Sequence, residues 1–174
     1  ELTRFTDILD LLILLNSEER FIAAGMTFVN EIAARFHCTR VSLGWQDSGY
    51  IRLQTISHME RFEPKMDVVT CLEAAMEETF DQDEEVLLPQ PGSSNVVIRD
   101  HSAYAEMQQV KHLLSLPLRN KQQPVAVLSC ERDVQPFTED EIRSLRITCD
   151  QVSPRLISLK ETDHGIGAQL FAGL

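Results

Sequence analysis

The sequence predicts an α+β domain in which one antiparallel sheet carries the N- and C-terminal helices on one of its faces. Three observations lead there. Apolar residues recur every three or four positions near both ends of the chain, they alternate with polar ones over two central stretches, and each alternating stretch is split by turn residues. With 174 residues, 43% of them hydrophobic, and only 7 Gly and 7 Pro, the chain can bury one sizeable core and has no signature of disorder.

Residues 2 to 15 read as a helix with Phe5, Ile8, Leu12 and Leu15 on one stripe and Leu9, Leu11 and Leu14 beside it. That surface is wider than one packing partner covers, so a second chain is expected over the rest. After Asn16-Ser17 a second helix runs to about Phe36, with Phe21, Phe28, Val29 and Ile32 facing a core. The period then changes to two. Val41, Leu43 and Trp45 alternate with Ser42, Gly44 and Gln46, Ile51 and Leu53 alternate with Arg52 and Gln54, and Asp47-Ser48-Gly49 supplies the turn of a hairpin.

A polar loop from His58 to Lys65 leads to a helix from about Asp67 to Phe80 and a short strand at Val86 to Leu88. The acids Glu73, Glu77, Glu78, Asp81, Asp83, Glu84 and Glu85 are expected on a solvated face and loop. PQPGSSN marks a loop with a short strand at Val96 to Ile98, and His101 to Lys111 forms a short helix. A second hairpin pairs Leu114-Leu116-Leu118 with Val125-Val127 through the polar Arg119 to Gln123. The last helix runs from about Glu139 to Glu161. Its residues Ile142, Leu145, Cys149, Val152, Leu156 and Leu159 are three and four apart, a seam that suits core packing as well as dimerisation. Pro154 kinks that helix or removes one of its backbone hydrogen bonds.

Charge narrows the function classes. Asp and Glu outnumber Lys and Arg 27 to 16 for a net charge of -11, which argues against nucleic acid and against membrane binding through a basic patch. Cys38, Cys71, Cys130 and Cys149 lie far apart without a CxxC, so neither a zinc ribbon nor a disulfide framework is read and a reducing, cytoplasmic setting fits. Apolar runs such as LLILL fall short of the roughly 20 residues that span a bilayer. No basic region precedes the leucines as a secretory leader would require, and the chain reads as a piece of something longer. Enzyme signatures such as GxSxG, HExxH or a phosphate-cradling glycine loop are missing, and no metal spacing is read, so the sequence predicts a non-enzyme and names no cofactor.

The order helix, hairpin, helix, strand, variable loop, hairpin, long helix resembles a GAF domain over about residues 17 to 160. LLSLPLRNKQQPVAVLSCER matches the penultimate strand, turn and final strand of that GAF/PAS-like fold, and PFTEDEIRSL matches the start of its last helix. The chain is then expected to divide into an N-terminal helix at 1–16 that dimerises through its wide apolar surface, a GAF-like domain at 17–161 and an extension at 162–174 toward a downstream region. More narrowly, VLSCERDVQPFTEDEIRSL and LISLKETDHGIGAQL resemble GAF domains that precede a haemolysin-D-type membrane-fusion segment in bacterial secretion proteins. That likeness implies a membrane anchor just beyond Leu174.

The resemblance also implies a small-molecule pocket on the sheet face away from the terminal helices. Its expected polar lining is His58, Arg61, Arg99, His101 and Tyr104, with Trp45 as an aromatic wall, suited to an anionic or hydrogen-bonding ligand. The family's cyclic-nucleotide signature NK…F…DE is imitated by Asn120-Lys121, Phe137 and Asp140-Glu141, but the Asn-Lys pair falls one strand too early. Thr138 and Glu141 instead have the spacing of a reciprocal helix cap. His101 loosely matches the histidine of bilin-binding members, whose cysteine has no counterpart in the loop before it. The expected function is a sensory or regulatory domain that couples a small molecule to a downstream region through its terminal helices. The alternative is a ligand-free dimerisation or scaffolding module, with homodimerisation through the same helices.

Overall fold

The computed structural model describes residues 2–173, with the backbone alone for 166–172. A membrane segment past Leu174 lies outside the described residues, among which no helix is long and apolar enough to cross a membrane. The elements are α1 (Leu2–Asn16), α2 (Phe21–Arg35), β1 (Arg40–Asp47), β2 (Tyr50–Ile56), α3 (Asp67–Gln82), β3 (Val86–Leu88), α4 (Arg99–Gln108), β4 (His112–Asn120), β5 (Gln123–Arg132) and α5 (Glu139–Ala172). The strands form one antiparallel sheet in the order β2-β1-β5-β4-β3. Helices α1, α2 and α5 pack on one face and α3 and α4 on the other, as an α+β domain of the expected kind.

Because both faces are covered, β4 and β5 read as nearly continuous apolar runs rather than as clean alternation. Val41, Leu43 and Trp45 of β1, with Leu116 of β4 and Leu128 of β5, join the core under α2 and α5. Ile51, Leu53, Leu113 and Val127 join a second core under α3. A bulge between Leu43 and Gly44 leaves Gln54 without a partner, and β2 turns there. Upstream of it Leu53 faces α3, and downstream Thr55 lies against Gly25 of α2.

The seam of α5 is used inside the chain. Leu145, Cys149, Val152, Leu156 and Leu159 are all buried in the first core. The helix continues through Pro154, with the Ser153 hydroxyl donating to the Cys149 carbonyl at 2.6 Å. A helix-interior proline costs roughly 3 kcal/mol. Burial of Val152 and Leu156 on either side contributes about 1.5–3 kcal/mol each and offsets it. The cap of α5 is the reciprocal one: Glu141 N–H donates to Thr138 Oγ1 and Thr138 N–H to Glu141 Oε1, each at 3.1 Å. Asn120 ends β4 and Lys121 opens the two-residue turn Lys121-Gln122 before β5, with φ of 50° at Lys121 and 69° at Gln122.

Two local expectations need correction. The acids of α3 do not all face solvent: Glu77 accepts the Ile51 N–H at 3.0 Å, Glu73 accepts the Leu53 N–H at 2.8 Å, and Glu78 is buried. The reason is position, since α3 lies along the outer strand β2, whose outward N–H groups need acceptors. Residues 96 to 98 form no strand. Their backbone is held by side-chain amides: Gln82 both donates to the Val97 carbonyl and accepts its N–H, and Gln90 donates to the Val96 carbonyl.

Candidate ligand-binding face

The sheet face under α3 and α4 is apolar at one end and polar at the other. At the apolar end Met76 of α3 lies directly over Gly44 of β1, where an added Cβ would fall 2.6 Å from the Met76 sulfur and 2.5 Å from Ile51 Cγ2. Glycine is what lets the thioether fill this space.

At the other end three serines form a row across the sheet. Ser42 of β1 is paired with Ser129 of β5, and Ser129 with Ser115 of β4. All three are fully buried. Ser129 and Ser115 hydroxyls are 2.7 Å apart, Ser115 Oγ is 2.9 Å from His101 Nε2, and His101 Nδ1 is 2.7 Å from Glu78 Oε1. Glu78 also accepts the backbone N–H groups of Asp100 and His101, so the carboxyl from α3 caps the start of α4.

The direction of this chain follows from the donor inventory. Glu78 Oε1 already accepts the His101 backbone N–H, so it serves as an acceptor here and His101 Nδ1 donates to it. Burial lowers the His101 pKa in spite of the Glu78 carboxyl, keeping the ring neutral. Nε2 is then an acceptor, the Ser115 hydroxyl donates to it, and Ser129 donates to Ser115. The row ends at Ser42, whose buried hydroxyl has no hydrogen-bond partner. A second buried group stands beside it: the Tyr104 hydroxyl donates to Glu131 Oε2 at 2.8 Å and accepts from Arg40 Nη1 at 3.3 Å. Burial raises the pKa of both Tyr104 and Glu131.

Of the residues singled out in the sequence, the structure brings His101 and Tyr104 together under the sheet face, three positions apart on α4. The others lie apart from them. Arg99 is exposed on the outer side, in a groove with Glu77, Asp81 and Asp100. His58 and Arg61 are exposed in the loop after β2, where the His58 N–H donates to Asn30 Oδ1. Trp45 is turned to the opposite face, edge-on to Phe21 with ring centroids 5.0 Å apart. Sequence reasoning missed Ser42, Ser115, Ser129, Glu78, Glu131 and Arg40. The available signal was a serine set in each of three otherwise apolar strands, VSLGW, LLSLPL and AVLSCE.

The comparisons with known proteins agree with this architecture. A sequence profile of the GAF domain matches residues 22–156. The chain belongs to the GAF domain family. GAF domains are generally small-molecule-binding sensory or regulatory modules, and usually non-catalytic. Among curated proteins none matches the chain. Among solved structures it is similar to the GAF domain of an Acinetobacter phosphoenolpyruvate-protein phosphotransferase, at 14% identity and a TM-score of 0.70, covering 93% of this chain and 98% of that one. The corresponding Coxiella burnetii domain has 12% identity and a TM-score of 0.61, with 95% and 96% covered. The free methionine-R-sulfoxide reductase of Neisseria meningitidis, solved with its substrate, has 12% identity and a TM-score of 0.64, with 89% of each chain covered. At these identities the likeness is one of fold.

Proposed function

We propose that this GAF domain is a non-enzymatic regulatory module that binds a small hydrogen-bonding molecule between the sheet and α3/α4, and passes occupancy to an attached region through α1 and α5. The observation that carries the reading is the serine row ending on the unpartnered, buried hydroxyl of Ser42, two residues from the glycine that Met76 covers. A buried hydroxyl without a partner is costly, and a ligand oxygen or nitrogen reaching it supplies one. Met76 is the side chain that gives way, being unbranched and flexible. The flanking charges select the ligand: two buried carboxyls, Glu78 and Glu131, against Arg40 favour a neutral hydrogen-bonding group over an anion.

The Glu78, His101 and Ser115 distances are those of a nucleophile, its base and the acid that orients it. Ser115 is fully buried and shares its hydroxyl with Ser129, so the set is assigned to holding the face rather than to catalysis. The four cysteines are free thiols, which supports a cytoplasmic setting. The output region is the segment that follows α5, for which a haemolysin-D-type membrane-fusion part is the candidate the sequence suggests.

The test is thermal unfolding against nucleotides, tetrapyrroles, organic acids and amino acids. A binder at 100 times its dissociation constant contributes about 2.7 kcal/mol. Ser42→Ala should leave the free domain as stable or more so, since it removes an unpaired hydroxyl, and should abolish the ligand shift. A second reading, a dimerisation scaffold, is favoured by the exposed apolar face of α1, with Leu2 84%, Phe5 63% and Ile13 66% exposed. No shift across the panel together with a stable dimer in light scattering would select it.

A further inference from the structure

On the opposite face of the sheet, helices α1, α2 and α5 leave a cavity of about 200 Å³ between them. Steps of four and three residues place Arg4, Ile8 and Leu11 on one side of α1, and Asp140, Ser144 and Thr148 on one side of α5, all lining it. Its floor is apolar. Leu11 and Ile32 are fully buried, and Ile8 and Phe36 are half-buried. An apolar cavity of about 150 Å³ is enough to hold benzene, so this one has room for an isobutyl or a benzyl group.

The mouth supplies a second, independent feature. Arg4 of α1 and Asp140 of α5 meet there with Nη2 and Oδ2 3.6 Å apart, their side chains 56% and 61% exposed. Asp140 also has Arg143 Nη1 at 3.9 Å. Ion pairs this long and this exposed contribute little to stability, so both partners are open to exchange. The other charged groups of the lining are more firmly committed. Arg35 donates from Nε to Glu31 Oε2 at 3.1 Å and from Nη1 to the Asp7 carbonyl, while Glu141 is held by Arg132 and by the helix cap. Asp7 adds one more carboxylate to the lining.

We propose that this cavity binds a free apolar α-amino acid such as leucine or phenylalanine. The side chain enters over Ile8, Ile32 and Phe36, and the zwitterion replaces the direct contact between Arg4 and Asp140. Its α-carboxylate accepts from the Arg4 guanidinium and its α-ammonium donates to the Asp140 carboxylate. Opposite charges set side by side above an apolar floor match a zwitterion, whereas an amine or a carboxylate alone satisfies one of them and faces the other with like charge. The site is separate from the one proposed under α3 and α4, and neither depends on the other. Because the ligand joins α1 to α5, its occupancy holds the first helix against the last.

Equilibrium dialysis of the folded chain against radiolabelled L-leucine and L-phenylalanine should show saturable binding of at least one of them. Isopentylamine and isocaproic acid keep the leucine side chain but lack the carboxylate or the ammonium. Each should compete roughly tenfold more weakly or worse, the worth of one charge-assisted hydrogen bond. Arg4→Gln and Asp140→Asn should each weaken binding by a similar factor and leave the unfolding midpoint in place, since both side chains are exposed. Hydrogen exchange read by mass spectrometry should slow in α1 and in the first turns of α5 when the amino acid is added. Ser144→Leu fills the cavity from α5 and should abolish binding; the two mouth variants decide the matter should it fail to fold. No saturable binding of either amino acid, equal competition by the amine or the acid, unchanged affinity in both mouth variants, or slowed exchange confined to α3 and α4 would overturn the proposal.

Discussion

His101 folds as a neutral ring, because its full burial outweighs the one carboxyl it contacts. An unfolded histidine takes up a proton near pH 6.5, which the folded ring does not. The unfolded state therefore binds more protons below that pH, so stability is greatest above about pH 6.5 and falls as pH drops below it. His101→Gln should lower stability at high pH and flatten the slope between about pH 7 and 5 in urea unfolding. His101 and Tyr104 were named among the candidate lining residues in the sequence, and, three apart on a short helix, they share its one buried side. Ser42, Ser115 and Ser129 were not. A strand covered on both faces has no polar side to read period two against, and small hydroxyls pass there as ordinary filling. Glu78 was hidden in a run of acids, where one sequence cannot tell the carboxyl that turns inward.

At the scale of elements the fold was legible wherever the hydrophobic period switched; helix ends moved, the hairpin strands run further into their turns than expected, and the strand expected at 96–98 is absent. The start of α5 shows a cap that serves two purposes, since Glu141 closes the helix and pairs with Arg132 of β5. Hydrogen bonding to Arg132, with further bonds to Thr138, pulls the Glu141 carboxyl down to about 2. Its contribution is present above the usual carboxylate value of about 4.3 and is lost as pH falls toward 2. Glu141→Gln should remove that part of the acid unfolding limb, read by circular dichroism. The β4–β5 turn is a poor local solution. Lys121 and Gln122 both adopt positive φ, which suits Asn-Gly far better. Replacing the pair by Asn-Gly should stabilise the domain by about 1–2 kcal/mol, a rise of roughly 2–4 °C per kcal/mol in a chain of this size.

For the whole molecule the sequence expected the first helix to turn an apolar face outward and left open whether the seam of the last one packs into the core or onto a partner. Helix α5 spends its seam on the core, and Leu156 is fully buried, so a lysine there would unfold the chain before it dissociated anything. Helix α1 divides its residues differently. Leu11 and Leu15 hold it to the domain, while Leu2, Phe5, Leu9 and Ile13 stay exposed. If the proposed dimer forms through this helix, Phe5→Lys with Ile13→Lys should give a monomer in light scattering. The unfolding free energy extrapolated to low protein concentration should change by no more than about 0.5 kcal/mol per site.

The carboxyls of Glu73 and Glu77 have a consequence for how this molecule behaves in company. They occupy the outward N–H groups of Leu53 and Ile51, the positions at which a foreign strand would add itself to β2. An incoming strand must first break two charge-assisted hydrogen bonds, worth about 1.5–3 kcal/mol each. At the far edge β3 offers only three residues before Pro89. Both margins of the sheet are thus guarded against runaway strand exchange and fibre growth.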